Sequence, residues 1–343
     1  MKLSEYNYNL PPELIAKHPP QVRGASKLLV LDKNTGDIEH KNYSDIIDFL
    51  NPGDVLVIND TKVIKARLIA LDLNQKPTEI FLLEKHGETD DHFHHSIIYR
   101  GNLQTNNTLR VGPATITIAS LSDDGTATIK SSHDLDQLAQ DFGSVPLPPY
   151  LKREATQEDD SRYQTIFAEH KGSVAAPTAS LNMTAELMEK IHAKGVIIAP
   201  LTLHVGLGTF APIRTDDLSD HHMHQEYFSI PAQTVEKIRT AKLAGNKIIA
   251  LGTTVTRALE YAHHNILSAP EITDGRGEAD IFIYPGYEFK VIDKLITNFH
   301  APKSTVLMLA AAFAGKENLF NAYKNAVEHN YSFLSYGDSM IIK

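Results

Sequence analysis

The chain is 343 residues long, 42% apolar and 22% charged, enough to bury a sizeable core in two domains. It has no cysteine, which excludes disulfides, thiolate metal sites and a cysteine nucleophile and fits a cytoplasmic setting. Its 33 Lys and Arg against 42 Asp and Glu leave a formal charge of −9, which by itself argues against a nucleic-acid partner, and neither an apolar run of membrane-spanning length nor a secretory leader is visible in a start that carries Lys2, Ser4 and Glu5.

In chain order, residues 1–60 begin as Pro-rich coil. Residues 28–31 read as a strand, Lys33-Asn34-Thr35-Gly36 as a turn and 37–40 as the returning arm of a hairpin. Ser44 is a helix cap, and the short helix it opens stops at Asn51-Pro52-Gly53. The apolar run 55–58 predicts a buried strand that delivers Asn59-Asp60-Thr61-Lys62 to its end. Residues 61–145 change character. Short alternating runs at 66–71, 79–84, 96–100, 108–111, 115–119 and 126–130 are separated by turn residues, with almost no helix signal, and predict a small antiparallel barrel. The run His92, His94, His95 lies between two of them. With only Asp90 and Asp91 nearby it reads as a solvated loop rather than a metal site.

From Val145 the pattern is α/β. Pro146-Leu147-Pro148-Pro149-Tyr150 is a stiff linker. Thr184 caps a helix with Glu186 in its first turn and Gly195 at its end. A strand at 196–199 follows, and then the run 201–205, whose His204 opens into Gly206-Leu207-Gly208-Thr209. Pro231 starts a helix ending at Gly245, and 248–251 is a strand that runs through Gly252-Thr253-Thr254 into a helix bearing Arg257. Strands are expected at 281–284 and 295–297, a helix capped by Ser304 at 305–314, and a last helix near 319–329. The fold expected is an α/β main domain built from both chain ends, residues 1–60 and 146–343, interrupted by an inserted all-β domain, a small antiparallel barrel of residues 61–145.

Strand, Gly252-Thr253-Thr254, helix is a geometry that holds an anion on free N–H groups, with Arg257 as a possible partner; it is also an ordinary capped turn. Lys303-Ser304 ahead of the next helix allows the same two readings. Lys62 and Arg67 form a cation cluster with Lys65, and Lys152, Arg153 and Arg162 flank the Gly- and Thr-rich loops. Tyr284 and Tyr287, in Y-P-G-Y, suit either base stacking or core packing.

Several strings carry a resemblance: Y-N-L-P-P-E-L-I-A near the start, V-A-A-P-T-A with Pro177 and Thr178, T-L-H-V-G-L-G-T-F with His204, Gly206, Gly208 and Thr209, H-x-M-H-x-E-Y with His224 and Glu226, D-I-F-I-Y-P-G-Y, I-T-N-F-H-A-P-K-S-T with His300, Lys303 and Ser304, and Y-G-D at 336–338. Together, in order and over nearly the whole chain, they resemble the S-adenosylmethionine:tRNA ribosyltransferase-isomerases of queuosine biosynthesis. The resemblance implies transfer of the ribosyl part of S-adenosylmethionine to a 7-aminomethyl-7-deazaguanine at the tRNA wobble position. The ribose is rebuilt as an epoxycyclopentane, and adenine and methionine leave. It implies the two-domain plan, no cofactor or metal beyond the co-substrate, a cytoplasmic monomer, and tRNA as partner.

Within it, His204, His224, His300, Asp60 and Glu226 are the candidates for acid and base. Pro177, Thr178, Gly206, Gly208, Thr209, Gly252, Thr253, Thr254, Arg257, Tyr284, Tyr287, Lys303 and Ser304 are the candidates for holding substrate, with the methionine carboxylate at the Gly252 turn. Lys62, Arg67, Lys152, Arg153 and Arg162 are the candidates for tRNA phosphates. Two departures stand out. Asn182 replaces the usual histidine of G-L-H-F-T, and Gly277-Glu278-Ala279 precedes Asp280 where a hydroxyl residue is usual. An RNA-binding module without catalysis and a nucleotide-dependent dehydrogenase are the competing readings. Gly206-Leu207-Gly208 lacks the third glycine a dinucleotide fingerprint needs, which counts against the second.

Overall fold

The computed structural model describes residues 1–84, 91–206, 213 and 215–343, and in these the chain forms a nine-stranded mixed sheet, a closed six-stranded barrel and a two-stranded sheet between them. The first strands are β1 (Lys27–Leu31), β2 (Ile38–Asn42), β3 (Val55–Asn59) and β4 (Thr61–Val63). The barrel follows as β5 (Arg67–Leu71), β6 (Pro77–Leu82), β7 (His94–Tyr99), β8 (Thr108–Val111), β9 (Ala114–Leu121) and β10 (Thr126–Ser131). Its side chains alternate in and out, so Leu68, Ala70, Ile80, Leu82, Ile97, Ile116, Ile118 and Ile129 fill the interior. Helix α1 (Leu135–Phe142) packs on it, opened by Asp134, whose carboxylate accepts from the Gln137 amide. That helix was not expected in this all-β stretch. Entry to and exit from the barrel are tied together, since Arg67 and Ser144 exchange both main-chain hydrogen bonds.

The chain then adds α2 (Gln157–Arg162), β11 (His170–Ser173), α3 (Ala185–Ala193), β12 (Ile197–Leu203), β13 (Glu226–Ile230), α4 (Ala232–Leu243), β14 (Ile248–Leu251), α5 (Thr253–Tyr261), α6 (His263–Leu267), β15 (Gly275–Ala279), β16 (Lys294–Asn298), α7 (Thr305–Ala314), α8 (Lys316–Glu328) and β17 (Ser339–Ile342). The main sheet runs β15-β13-β12-β3-β14-β16-β17-β1-β2, with β12, β3, β14 and β16 parallel at its centre. Strands β3 and β14 are buried at every position, as central parallel strands require. Their alternate residues serve two cores. Val55, Val57, Ile248 and Ala250 face the layer of α4, α5, α7 and α8, while Leu56, Ile58, Ile249 and Leu251 face Met183, Leu187 and Ile191 around α3. The fold is therefore the α/β main domain from both chain ends with an inserted antiparallel barrel.

Three local expectations are corrected. Residues 281–284 are extended coil, because Pro285 and Gly286 follow and Arg257 Nε takes the Ile281 carbonyl. The strand of that region is β15, five residues earlier, in register with all of β13 from Glu226↔Ala279 to Ile230↔Gly275. Pro231 is the cap of α4 rather than its first residue. The short helix after β2 is a 3-10 helix, Tyr43–Phe49, held by a reciprocal cap between Asn42 and Asp45 rather than by Ser44.

Candidate active site

A cavity of about 530 Å³ opens at the carboxyl ends of β14 and β16, where open α/β sheets place ligands. The β14–α5 turn supplies Gly252, Thr253 and Thr254, the β16–α7 connection supplies His300, Lys303 and Ser304, and the loop after β11 supplies Pro177 and Thr178. These eight were expected from sequence. Gly252 sits at φ 107 and ψ 159, a region essentially reserved for glycine, which lets α5 begin straight off the strand. Ser304 caps α7: its Oγ accepts from the Leu307 amide and donates to the Ala301 carbonyl. Two helix N-termini thus face one cavity, and their free amides favour an anion there. The Lys303 ammonium has no ion-pair partner among the described residues, and its main chain is left-handed at φ 59.

His300 is the one candidate acid or base on this wall. Its Nε2 lies 2.9 Å from Thr297 Oγ1, its amide donates to the Tyr323 hydroxyl at 2.8 Å, and its carbonyl accepts from the Tyr8 hydroxyl. Burial pushes its pKa down to about 3, so the imidazole is neutral and, before substrate binds, only weakly basic. The wall also contains residues that sequence reasoning missed: Tyr150, Thr297, Asn298, Phe299, Leu334 and Ser335. Thr297 to Phe299 lie in the same motif as His300. Tyr150 was hidden in a stretch that reads as a proline linker.

Other candidates lie elsewhere. His204 is buried beneath Gly172, where an added Cβ would fall 2.7 Å from its Nε2, and its Nδ1 is 2.8 Å from Thr61 Oγ1. Asp60 is buried and accepts from Thr202 Oγ1 at 2.6 Å. Burial raises its pKa, and that hydrogen bond together with His170 offsets part of the rise. Glu226 and Arg257 form a buried ion pair. Arg257 also donates to the carbonyls of Ala279 at 3.0 Å, Ile281 and His224, while Glu226 accepts from the Gly206 amide at 3.3 Å. The pair is a clamp on the sheet edge. His224 is exposed. Tyr287 donates to buried Glu260 at 3.2 Å and packs on Phe289, and Tyr284 packs on Phe282. Gly208 and Thr209 lie outside the described residues.

The family described as queuosine biosynthesis protein matches residues 3–342. The chain belongs to that family. It is 52% identical to the S-adenosylmethionine:tRNA ribosyltransferase-isomerase of Pelodictyon phaeoclathratiforme over 344 residues, all of both chains. It is also 52% identical to the protein of the same name from Chlorobaculum parvum over 347 residues, again all of both. The crystal structure of the S-adenosylmethionine tRNA ribosyltransferase of Thermotoga maritima, 36% identical, covers 99% of this chain and 100% of its own, with a TM-score of 0.57. In this member of the queuosine biosynthesis family Asn182 is buried and donates to the Gly337 carbonyl at 2.9 Å and to Ser339 Oγ at 3.2 Å. Position 182 therefore anchors the Y-G-D segment and does not line the cavity. The basic residues divide. Arg67 pairs with Glu79 and Glu154, Arg153 grips Asp159 at 2.7 Å with both Nη atoms, and Arg162 holds the Pro20 carbonyl at 2.6 Å. Lys62 and Lys152 have no ion pair among the described residues.

Proposed function

We propose that the chain is an S-adenosylmethionine:tRNA ribosyltransferase-isomerase. It transfers and isomerises the ribosyl moiety of S-adenosylmethionine onto 7-aminomethyl-7-deazaguanine at the tRNA wobble position, giving epoxyqueuosine-tRNA, adenine and methionine. The observation that carries this reading is the meeting of two helix N-termini and a neutral histidine on one cavity of about 530 Å³, in a chain whose full length matches relatives of that name. The co-substrate carboxylate belongs on the amides of Gly252–Thr254 and Ser304, with the Lys303 ammonium beside it. The sulfonium acidifies the adjacent ribose methylene. His300, steadied by Thr297, is assigned to that proton by its place on the cavity wall, a role that requires bound substrate to raise its basicity, and enclosure by the cavity keeps water from the activated sugar. Since adenine and methionine both leave, the bonds broken in the co-substrate supply the electrons for the rearrangement, and no further cofactor enters the scheme. Lys62 and Lys152 are the tRNA phosphate contacts. The family resemblance and the tRNA substrate support a cytoplasmic monomer.

The test is release of free adenine from S-adenosylmethionine with and without tRNA carrying the aminomethyl-deazaguanine. Adenine is expected only with the modified tRNA, without methylated product, and His300→Ala should lower the rate by about 100-fold or more. Bound tRNA with no adenine from the wild type would sink the enzyme reading in favour of an RNA-binding module.

A further inference from the structure

The loop that carries His300 and Lys303 is held from outside, by three distant parts of the chain. The Phe299 carbonyl accepts from the Leu334 amide at 3.0 Å, and the His300 amide donates to the Tyr323 hydroxyl at 2.8 Å. The His300 carbonyl accepts from the Tyr8 hydroxyl, and the Lys303 amide donates to the Tyr6 carbonyl at 2.9 Å. The bond to Tyr323 is set deepest. Tyr323 stands on α8 and is 1% exposed, and its ring meets Phe299 at 5.3 Å and Tyr8 at 5.1 Å, both edge to face. Burial pushes the pKa of its phenol up, so the oxygen that faces the amide belongs to a neutral hydroxyl. The main chain of His300 is thus pinned at its N–H and at its C=O, while the imidazole is met at its far end by Thr297 Oγ1, 2.9 Å from Nε2. With both ends fixed, the direction of the ring is fixed too. Tyr323 does not line the cavity and neither does any other residue of α8. What Tyr323 does for a ligand there must pass through His300.

Building on the function proposed above, we propose that Tyr323 is a positioning residue for ribosyl transfer, its hydroxyl fixing the main chain from which the His300 imidazole is aimed into the cavity. Helix α8 thereby takes part in the active site through one oxygen atom. Proton transfer needs the base within hydrogen-bond reach of its proton, and a misplacement near 1 Å is enough to lower a rate about 100-fold.

Tyr323→Phe keeps the ring and removes only the hydroxyl. In the adenine-release assay with modified tRNA it should lower kcat by about 10- to 100-fold and leave the KM for S-adenosylmethionine within about 3-fold. In a His300→Ala background, read under single-turnover conditions, the same substitution should change the rate by less than about 2-fold, because the side chain it aims is gone. Wild-type kcat in Tyr323→Phe, or a raised KM with kcat unchanged, overturns the inference. So does an equal loss with and without His300, the mark of a tyrosine that only supports the core. If Tyr323→Phe does not fold, an ester in place of the Phe299–His300 peptide link, introduced by nonsense suppression, removes the amide hydrogen and leaves Tyr323 in the core. It should give the same fall in kcat, and an unchanged kcat would overturn the inference. Two further failures are distinct. A wild type that releases no adenine from S-adenosylmethionine with modified tRNA defeats the proposed function, and the Tyr323 assignment with it. A His300→Ala variant that works at the wild-type rate leaves ribosyl transfer standing and overturns the Tyr323 assignment alone.

Discussion

Two side chains set pH dependences of the same sign in different windows. Burial holds His300 neutral, with its pKa lowered from the ordinary 6.5 to about 3. Between those values the unfolded chain binds a proton that the folded chain does not, so stability rises with pH across that window, by up to about 1.4 kcal/mol per pH unit. His300→Gln should remove that slope. The check is the difference between wild-type and variant urea midpoints from pH 4 to pH 7, and coincident slopes would refute it. Asp159 acts in the same direction at lower pH. It is 1% exposed, and burial alone would raise its pKa. The paired bonds from Arg153, together with those from Thr156 and Tyr336, reverse that and hold it well below the usual carboxylate range. Its contribution is complete above the ordinary carboxylate value and is lost only as the pH falls below it. Asp159→Asn leaves the half-buried Arg153 without its anion and should cost about 3 kcal/mol in denaturant unfolding at neutral pH. A loss under 1 kcal/mol would contradict the account. Neither role was legible in the sequence. Asp159 sits in a polar run, Q-E-D-D-S-R, that reads as solvated helix. His300 was legible only through its motif, and its protonation state only through its packing.

At the scale of elements, the start of α5 is the most exacting joint. Gly252 has room for a methyl group, since an added Cβ would meet Ala179 Cβ at an ordinary 3.5 Å; its backbone angles are the obstacle. Gly252→Ala should therefore cost about 2 kcal/mol and weaken S-adenosylmethionine binding about tenfold or more by displacing the first amides of the helix. Calorimetry together with thermal melting separates the two effects, and unaltered binding would mean the helix start is not the carboxylate site. This turn was readable because strand, glycine and hydroxyl pair occur together in a few residues. The barrel was readable for a similar reason, since a period of two with frequent turns leaves few alternatives. Strands β13 and β15 were not. Gly-Arg-Gly-Glu-Ala has no apolar alternation, and it is a strand only because β13 pairs with it residue by residue. The more apolar Ile-Phe-Ile-Tyr next to it carries the stronger local signal and is coil, since Arg257 claims its first carbonyl. Burial and partnering at long range, invisible in a window of sequence, decided both.

Over the whole molecule, the charge balance tests the tRNA reading. With a formal charge of −9, and with Arg67, Arg153 and Arg162 engaged internally, two of the five candidate contacts, Lys62 and Lys152, remain to displace counterions. The logarithm of tRNA affinity should fall with the logarithm of salt at a shallow slope, about −2 to −4. Lys62→Ala and Lys152→Ala should each reduce that slope by about 1. Arg153→Ala should lower the melting temperature and leave the slope unchanged. Filter binding between 50 mM and 200 mM salt reads all three, and a steep slope insensitive to both lysines would place the RNA on another face.

The sheet also dictates an order of assembly. Strand β17 lies between β16 and β1, parallel to β1 and antiparallel to β16, and Lys343 and the β1 end exchange main-chain hydrogen bonds. The hairpin of β1 and β2, synthesised well before β17, has no other neighbour in the sheet. It must wait, edge exposed, while some 300 residues are synthesised before the strand that joins it to the rest emerges. A nascent chain halted before Ser339 would hold a formed barrel beside an unfinished sheet, a state that chaperones and proteases would meet before any substrate does.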